Sequence, residues 1–332
     1  MKKYIGGFLE LELFSRSGQG YHDGALALSN ARACISHIIR QTRMKQVWLP
    51  YYTCNALLEP FVQTGVPYRF YSLTEELEIA DAPKQLGADE FLLYINYFGL
   101  KRTYVHEIVS AYGNQLLIDN TQDFFAHGYA QGWAFNSARK SFGVPDGGYL
   151  YGPVEQLGTA DRYPVNNTYH AGYLIDRLRG AQQEAYEGFI AYEHTLTSES
   201  LRISELSASL LSQVDYNAVI AQRRENFNYY HNKLSKFNNA SMNLILAALP
   251  AGTAPFCYPL MQSEGELLDR RLLFESNVFV PTLWQDVLTR QAVGFEWERY
   301  LTRSLLPLPV DHRYGTDELD KVIFSIQAHL KA

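Results

Sequence analysis

The chain has 332 residues, 47% of them hydrophobic, and its 29 lysines and arginines against 35 aspartates and glutamates leave a formal charge of -6. That length and apolar content are enough for one large core and a smaller lobe, and they exclude a disordered chain. An acidic balance with no basic cluster gives no electrostatic footprint for nucleic acid, so a small molecule or a second subunit is the expected partner. The opening MKKYIGGFLELELFSRSGQG carries two lysines, but Glu10 and Glu12 interrupt its apolar run. Neither a signal-peptide core nor a membrane span is expected, and the expected location is cytoplasmic. Cys34, Cys54 and Cys257 are scattered without paired spacing, which argues against a disulfide framework and a zinc site; no metal is expected.

Helix-like and strand-like segments alternate through the first half. Residues 28–41, LSNARACISHIIRQ, place Ala31, Cys34, Ile35 and Ile38 at helical spacing behind a Ser29-Asn30 cap. Short apolar runs follow at VWLP (47–50), YRFYSL (68–73), FLLYINYF (91–98), QLLIDN (115–120) and GWAFNS (132–137). NALLEPFVQTG and TYVHEIVSAYG lie between them, the second closing on Gly113. Strands separated by helices of this length predict right-handed crossovers and a mostly parallel α/β sheet. From about 158 to 236 the pattern is helical. Beyond 237, strand-like FCYPLM and VFVPTLW and a closing helix TDELDKVIFSIQAHL predict a smaller α+β lobe, dividing the chain into 1–236 and 237–332.

Ligands of a parallel sheet gather beyond the carboxyl ends of its strands. Three residues or groups stand there. Asp119 ends LLID, as a cap or as a buried carboxylate holding a cation. Lys140 follows the strand-like WAFNS and precedes a Pro145-Asp146-Gly147-Gly148 turn into a second such run; it is either a solvated loop residue or a covalent anchor. The Ser29-Asn30-Ala31 helix start caps the helix or offers its N–H groups to a phosphate. Each alone has an ordinary structural reading. Together they match pyridoxal phosphate, which needs a lysine amine for its aldehyde, a carboxylate for its pyridine nitrogen and an anion site. His106-Glu107 lacks the second histidine of a zinc-peptidase helix, and no Gly-x-Gly-x-x-Gly follows the early strands.

These segments resemble the DegT/DnrJ/StrS family of sugar aminotransferases, enzymes of the fold-type I, aspartate aminotransferase class. LLIDNTQDFFA is similar to that family's acidic strand end followed by Ala/Thr-Gln, which implies Asp119 at the pyridine nitrogen and Gln122 near the phenolic oxygen. LPYYTCNALL resembles its Pro-x-aromatic-Thr segment, implying Tyr52 or Cys54 against the ring. YINYFGLKRTYVHEI, LRISELSASLLSQVDYNAVIAQRREN and SLLPLPVDHRYGTDELDKV are similar to three further segments in the family's order. Departures are equally specific. Phe135 stands where the family has a phosphate-binding serine, with Asn136 or Ser137 as substitutes. Asn30-Ala31-Arg32 replaces Ser-Gly-Thr, Ser200 replaces an asparagine that reaches the partner's cofactor, Asp146 takes the place of glutamate, and residues 158–198 match nothing in the family.

The resemblance implies a large domain with a seven-stranded sheet, Lys140 as the catalytic lysine and a homodimer with a composite site. It implies amino transfer from glutamate or glutamine to a nucleotide-linked keto sugar, as in polysaccharide biosynthesis. A sugar dehydratase of the same fold and a cofactor-free binding protein are the alternatives.

Overall fold

The computed structural model describes residues 20–247, 249–250, 252–261 and 270–330; the opening stretch behind the leader expectation lies outside them. Its first half builds one sheet from β1 (Leu26–Leu28), β2 (Gln46–Pro50), β3 (Tyr68–Tyr71), β4 (Glu90–Ile95), β5 (Leu116–Asn120), β6 (Trp133–Asn136) and β7 (Gly148–Tyr151). The order is β1-β7-β6-β5-β4-β2-β3. Pairs β2–β3, β2–β4, β4–β5 and β5–β6 are parallel, and β7 runs against both its neighbours. Nearly continuous apolar runs such as LLI in β5 suit strands covered on both faces, the usual state of a parallel sheet.

Crossover helices α1 (Ala31–Thr42), α2 (Asn55–Thr64) and α3 (Arg102–Tyr112) connect these strands. Asn30 caps α1 as its spacing predicts, its Oδ1 accepting from the Ala33 N–H at 2.9 Å. A helical stretch follows: α4 (Val154–Leu157), α5 (Gly172–Leu178), α6 (Gln182–Thr195), α7 (Glu205–Ser212) and α8 (Tyr216–Leu234). Helices α5 and α6 form a hairpin.

The remainder comprises α9 (Ala240–Ala247), β8 (Cys257–Met261), α10 (Arg270–Glu275), α11 (Asp286–Thr289), α12 (Glu296–Ser304), β9 (Leu305–Pro309) and α13 (Thr316–Leu330). Strands β8 and β9 form a separate antiparallel pair. The expected strand at VFVPTLW is absent among the described residues: Val278 and Val280 are buried, but the segment is irregular. Pro281 removes a ladder donor there, and β8 takes β9 as its partner instead. No described helix is long and apolar enough to cross a membrane.

Beside β6 and β7, His22 is buried and neutral for a geometric reason. Asn136 accepts the Tyr149 N–H through Oδ1, which turns its Nδ2 toward His22 Nε2 at 3.1 Å. Nε2 must therefore accept, leaving Nδ1 to donate to Tyr151 Oη at 2.7 Å. Burial and the neighbouring His127 lower its pKa to about 3. His37, buried beside Arg162 and Arg40, is lowered to about 4. The unfolded chain takes up protons at both as pH falls below the ordinary histidine value, and the native state refuses them, so stability present above about 6.5 is lost on acidification at about 1.4 kcal/mol per pH unit per proton. Asp119, raised to about 6, offsets one of those protons between about pH 4 and 6. Urea midpoints at pH 7 and 4.5 should fall in the wild type and fall less in His22→Asn; equal losses would refute the assignment.

Candidate active site

The parallel register puts Ile95, Asp119 and Phe135 in one row across β4, β5 and β6. All three line a cleft at the carboxyl ends of these strands. Asn30, Ala31 and Arg32 at the start of α1, Cys54 at the start of α2, and Gln122, Ser137 and Lys140 beyond the strand ends line the same cleft. Eight of the sequence-derived candidates therefore converge. The first N–H groups of α1 have no partner within the helix, and Ser137 is buried beside them.

Asp119 is 5% exposed and accepts the Thr121 N–H at 2.7 Å. Burial raises its pKa to about 6 against the opposing Thr121 hydrogen bonds and the charge of Lys140. It is a carboxyl short of a cationic partner. Lys140 lies exposed on the cleft wall, closing a single 3-10 turn over Ala138–Lys140. Gln122 Oε1 accepts from the Phe98 N–H at 2.8 Å; Phe98 has a left-handed φ of 57°, so this bond helps hold a backbone conformation that non-glycine residues rarely adopt. The segment is further pinned by Asp123, which takes two bonds from Arg102 at 2.6 and 2.7 Å and one from Asn96 at 3.0 Å. Burial raises the pKa of the Cys54 thiol, which makes it an apolar wall and not a nucleophile.

Two candidates fall elsewhere. Tyr52 is fully buried between Tyr97 and Trp284, with ring centroids at 5.6 and 4.9 Å, and does not line the cleft. Cys54, two residues on, does. Asn136 follows Phe135 on β6, so alternation sends it to the opposite face, where it holds His22. Sequence reasoning missed Thr53, whose buried Oγ1 has no partner, and Trp284, Arg139 and Glu193, all of which line the cleft. Thr53 lay inside a quoted motif and was within reach; Trp284 comes from a segment far along the chain.

The Pro145-Asp146-Gly147-Gly148 turn locks Lys140 to the α1 start. Gly147 N–H donates to Ser29 O at 2.6 Å, and Gly147 O accepts from Ala138 N–H at 2.9 Å. Gly147 has φ 124°, and a Cβ on Gly148 would stand 2.8 Å from the Asn30 carbonyl carbon. Only glycine permits that approach. Asp146 is fully buried. It accepts from Asn166 Nδ2 at 2.8 Å, Ser204 N–H at 2.8 Å, Ser204 Oγ at 2.6 Å and Ser207 Oγ.

Solved structures share this architecture. The sugar aminotransferase CalS13 from Micromonospora echinospora superposes with a TM-score of 0.63 at 12% identity, over 92% of this chain and 87% of its own. DesV of S. venezuelae, solved in complex with a ketimine intermediate, gives 0.65 at 15% identity over 94% and 86%. DesI, solved in the presence of its TDP-sugar product, gives 0.61 at 12% over 94% and 82%. The chain has the fold of these aminotransferases. No family model matches the sequence, and no curated protein matches it.

On this fold the segment 158–198 becomes the α5–α6 hairpin, which sends Glu193 into the cleft wall. A second recess opens on the other side of Lys140, lined by Arg139, Leu174, Arg223, His312 and Arg313 among others. Arg223 is 2% exposed and, among the described residues, bonds to the carbonyls of Pro255 and Ser141 at 3.2 and 3.4 Å and leaves Nε without a partner. Burial lowers its pKa. Asp311 also lines the recess, but both of its carboxylate oxygens are taken by Arg313, so cationic side chains outnumber acidic ones there.

Replacing Asp146 by asparagine would set an amide N–H against donors that now share a carboxylate. Unfolding in urea should show a loss of about 2–4 kcal/mol. A variant as stable as the wild type would show that the turn does not depend on this charge.

Proposed function

We propose that the protein is a pyridoxal phosphate-dependent aminotransferase acting on a keto sugar. The observation that carries this reading is the convergence in one cleft of a free lysine amine, a buried carboxyl short of a cation, and a helix N-terminus beside Thr53 and Ser137. These residues fit the cofactor: the α1 start with Ser137 suits a phosphate, and Asp119 suits a protonated ring nitrogen. When bound, pyridoxal phosphate supplies an aldehyde for an amine and a ring that draws electrons from the substrate carbon.

Lys140 Nζ would anchor the aldehyde and, once displaced by a substrate amine, carry the proton to and from the reacting carbon. Asp119 would hold the ring-nitrogen proton. Cys54 and Trp284 would wall the ring, and Gln122 would orient its oxygen. The guanidinium-lined recess beyond Lys140 suits an anionic portion of a substrate.

DesI was solved with a TDP-sugar product, which supports a nucleotide-linked sugar as acceptor; glutamate or glutamine is our reading for the donor. We further infer a homodimer. Ile175, Leu178, Tyr186, Phe189 and Ile190 are exposed on the α5–α6 hairpin, an apolar surface suited to a second copy. Residues 1–236 would carry most of the cofactor site and 237–332 the smaller lobe that closes it with Trp284.

Borohydride reduction of cofactor-loaded protein followed by peptide mass mapping should place a pyridoxyl label on Lys140 alone. A label on another lysine, or none, sinks the assignment. Asp119→Asn should retain the Lys140 label, yet lose about two to three orders of magnitude in the rate at which glutamate shifts the cofactor absorption band. An unchanged rate would remove Asp119 from the mechanism.

A further inference from the structure

The hairpin that matches no family segment supplies one half of an ion pair in the cleft wall. Glu193 on α6 bonds Arg139, the residue immediately before Lys140. The guanidinium carbon lies 5.4 Å from the Tyr192 ring centroid, and Nε is buried without a partner. Arg139 lines both the cleft and the recess beyond Lys140. Its side chain is 13% exposed, whereas that of Glu193 is 38% exposed. The two halves are therefore unequal: a solvated carboxylate returns to water at small cost, but a desolvated guanidinium needs an anion. Helix α6 buries only Ala185 and Tyr192; on the paired helix Tyr173 stands beside Arg139 and Leu174 lines the recess, so few side chains tie the hairpin to the Lys140 turn.

We propose that Glu193 is an internal competitor for an anion site centred on Arg139, neutralising the guanidinium in the free protein and giving way to a carboxylate or phosphate oxygen of the substrate. The identity of that substrate rests on the aminotransferase reading; the anion site itself does not. Because Arg139 precedes Lys140 directly, an anion held there lies beside the reacting amine. A carboxylate on the amino-bearing carbon of a donor and a phosphate of a nucleotide sugar both suit the planar donor face of a guanidinium. Glu193 then selects by charge, since a neutral ligand cannot replace what the carboxylate supplies.

A purely structural pair and an internal competitor make opposite predictions for its acidic half. Isothermal titration of the full-length protein with glutarate and, separately, with uridine diphosphate should be run on wild type, Glu193→Gln and Arg139→Gln. The competitor model expects Glu193→Gln to bind the recognised anion roughly three- to tenfold more tightly and Arg139→Gln to bind it at least about tenfold more weakly. The probe that shows opposite signs identifies the source of the anion as donor carboxylate or nucleotide phosphate. Weaker binding in both variants, no change in either, or no binding of either probe at millimolar concentration overturns the proposal. Melting curves verify that both variants fold. Cofactor absorbance in the same samples reports separately on the aminotransferase reading, which can fail while the affinity pattern holds.

Discussion

The cleft depends on one buried carboxylate that has no cation beside it. Asp146 is ringed by an asparagine amide, two serine hydroxyls and a backbone N–H, a donor set that stabilises the anion without an opposing charge. The donors come from two parts of the chain: Asn166 from the loop ahead of α5, and Ser204 and Ser207 from the cap and first turn of α7. The carboxylate thus gathers two separate segments onto a turn whose next two residues are Gly147 and Gly148. Through them the turn touches the Ser29 carbonyl on one side and Ala138 on the other. The α1 start and Lys140 are set relative to each other by this contact, not by the sheet alone.

The other charges of the site are left incomplete. Asp119 sits where burial raises its pKa, and Arg223 sits where burial lowers its own. In both, burial outweighs the opposite charge nearby, Lys140 for Asp119 and Asp311 for Arg223. A protein selected only for stability would fill such positions with apolar side chains or pair them. Here the acid lies at the strand end and the base across Lys140, so a ligand cationic at one end and anionic at the other would relieve both. That polarity, cation toward the sheet and anion toward Arg223 and Arg313, is the electrostatic content of the proposed chemistry.

The sheet was legible because its strands are short, largely apolar and at three connections separated by helices, of which α1 opens on Asn30 and α2 and α3 end at Gly65 and Gly113, so that local pattern and global architecture agree. Strand-end residues were legible for the same reason: a parallel sheet places function beyond its carboxyl ends. What escaped was governed by contacts distant in sequence. Whether Tyr52 or Cys54 faces the cleft depends on Trp284 filling the space beside Tyr52, and nothing local to residues 49–58 records that. Asn136 and Ser137 were equal candidates until the pairing of Asp119 with Phe135 fixed which face each takes; a shift of one residue would have exchanged them. The VFVPTLW segment has a strand's alternation but lacks a strand to pair with, which no pattern within it can reveal.

The α5–α6 hairpin had no readable counterpart, and physical economy explains why such a segment can diverge. Its own burial is slight, so its sequence is free wherever it does not touch the site, and most of its outward positions are polar or exposed apolar. Where it does touch, Leu174 lines the recess beside Lys140, and Tyr173, Tyr192 and Glu193 meet Arg139. The sheet fixes the position of Asp119 and the turn fixes Lys140, so neither can vary without disturbing the core. On the proposed reading, substrate choice falls to an element that can change without that cost, a division between rigid scaffold and adaptable connection found across enzyme folds. A helical hairpin serves this role better than an irregular loop: its backbone groups are satisfied internally, so a single side chain can be presented to the cleft without ordering the rest of the segment on the protein.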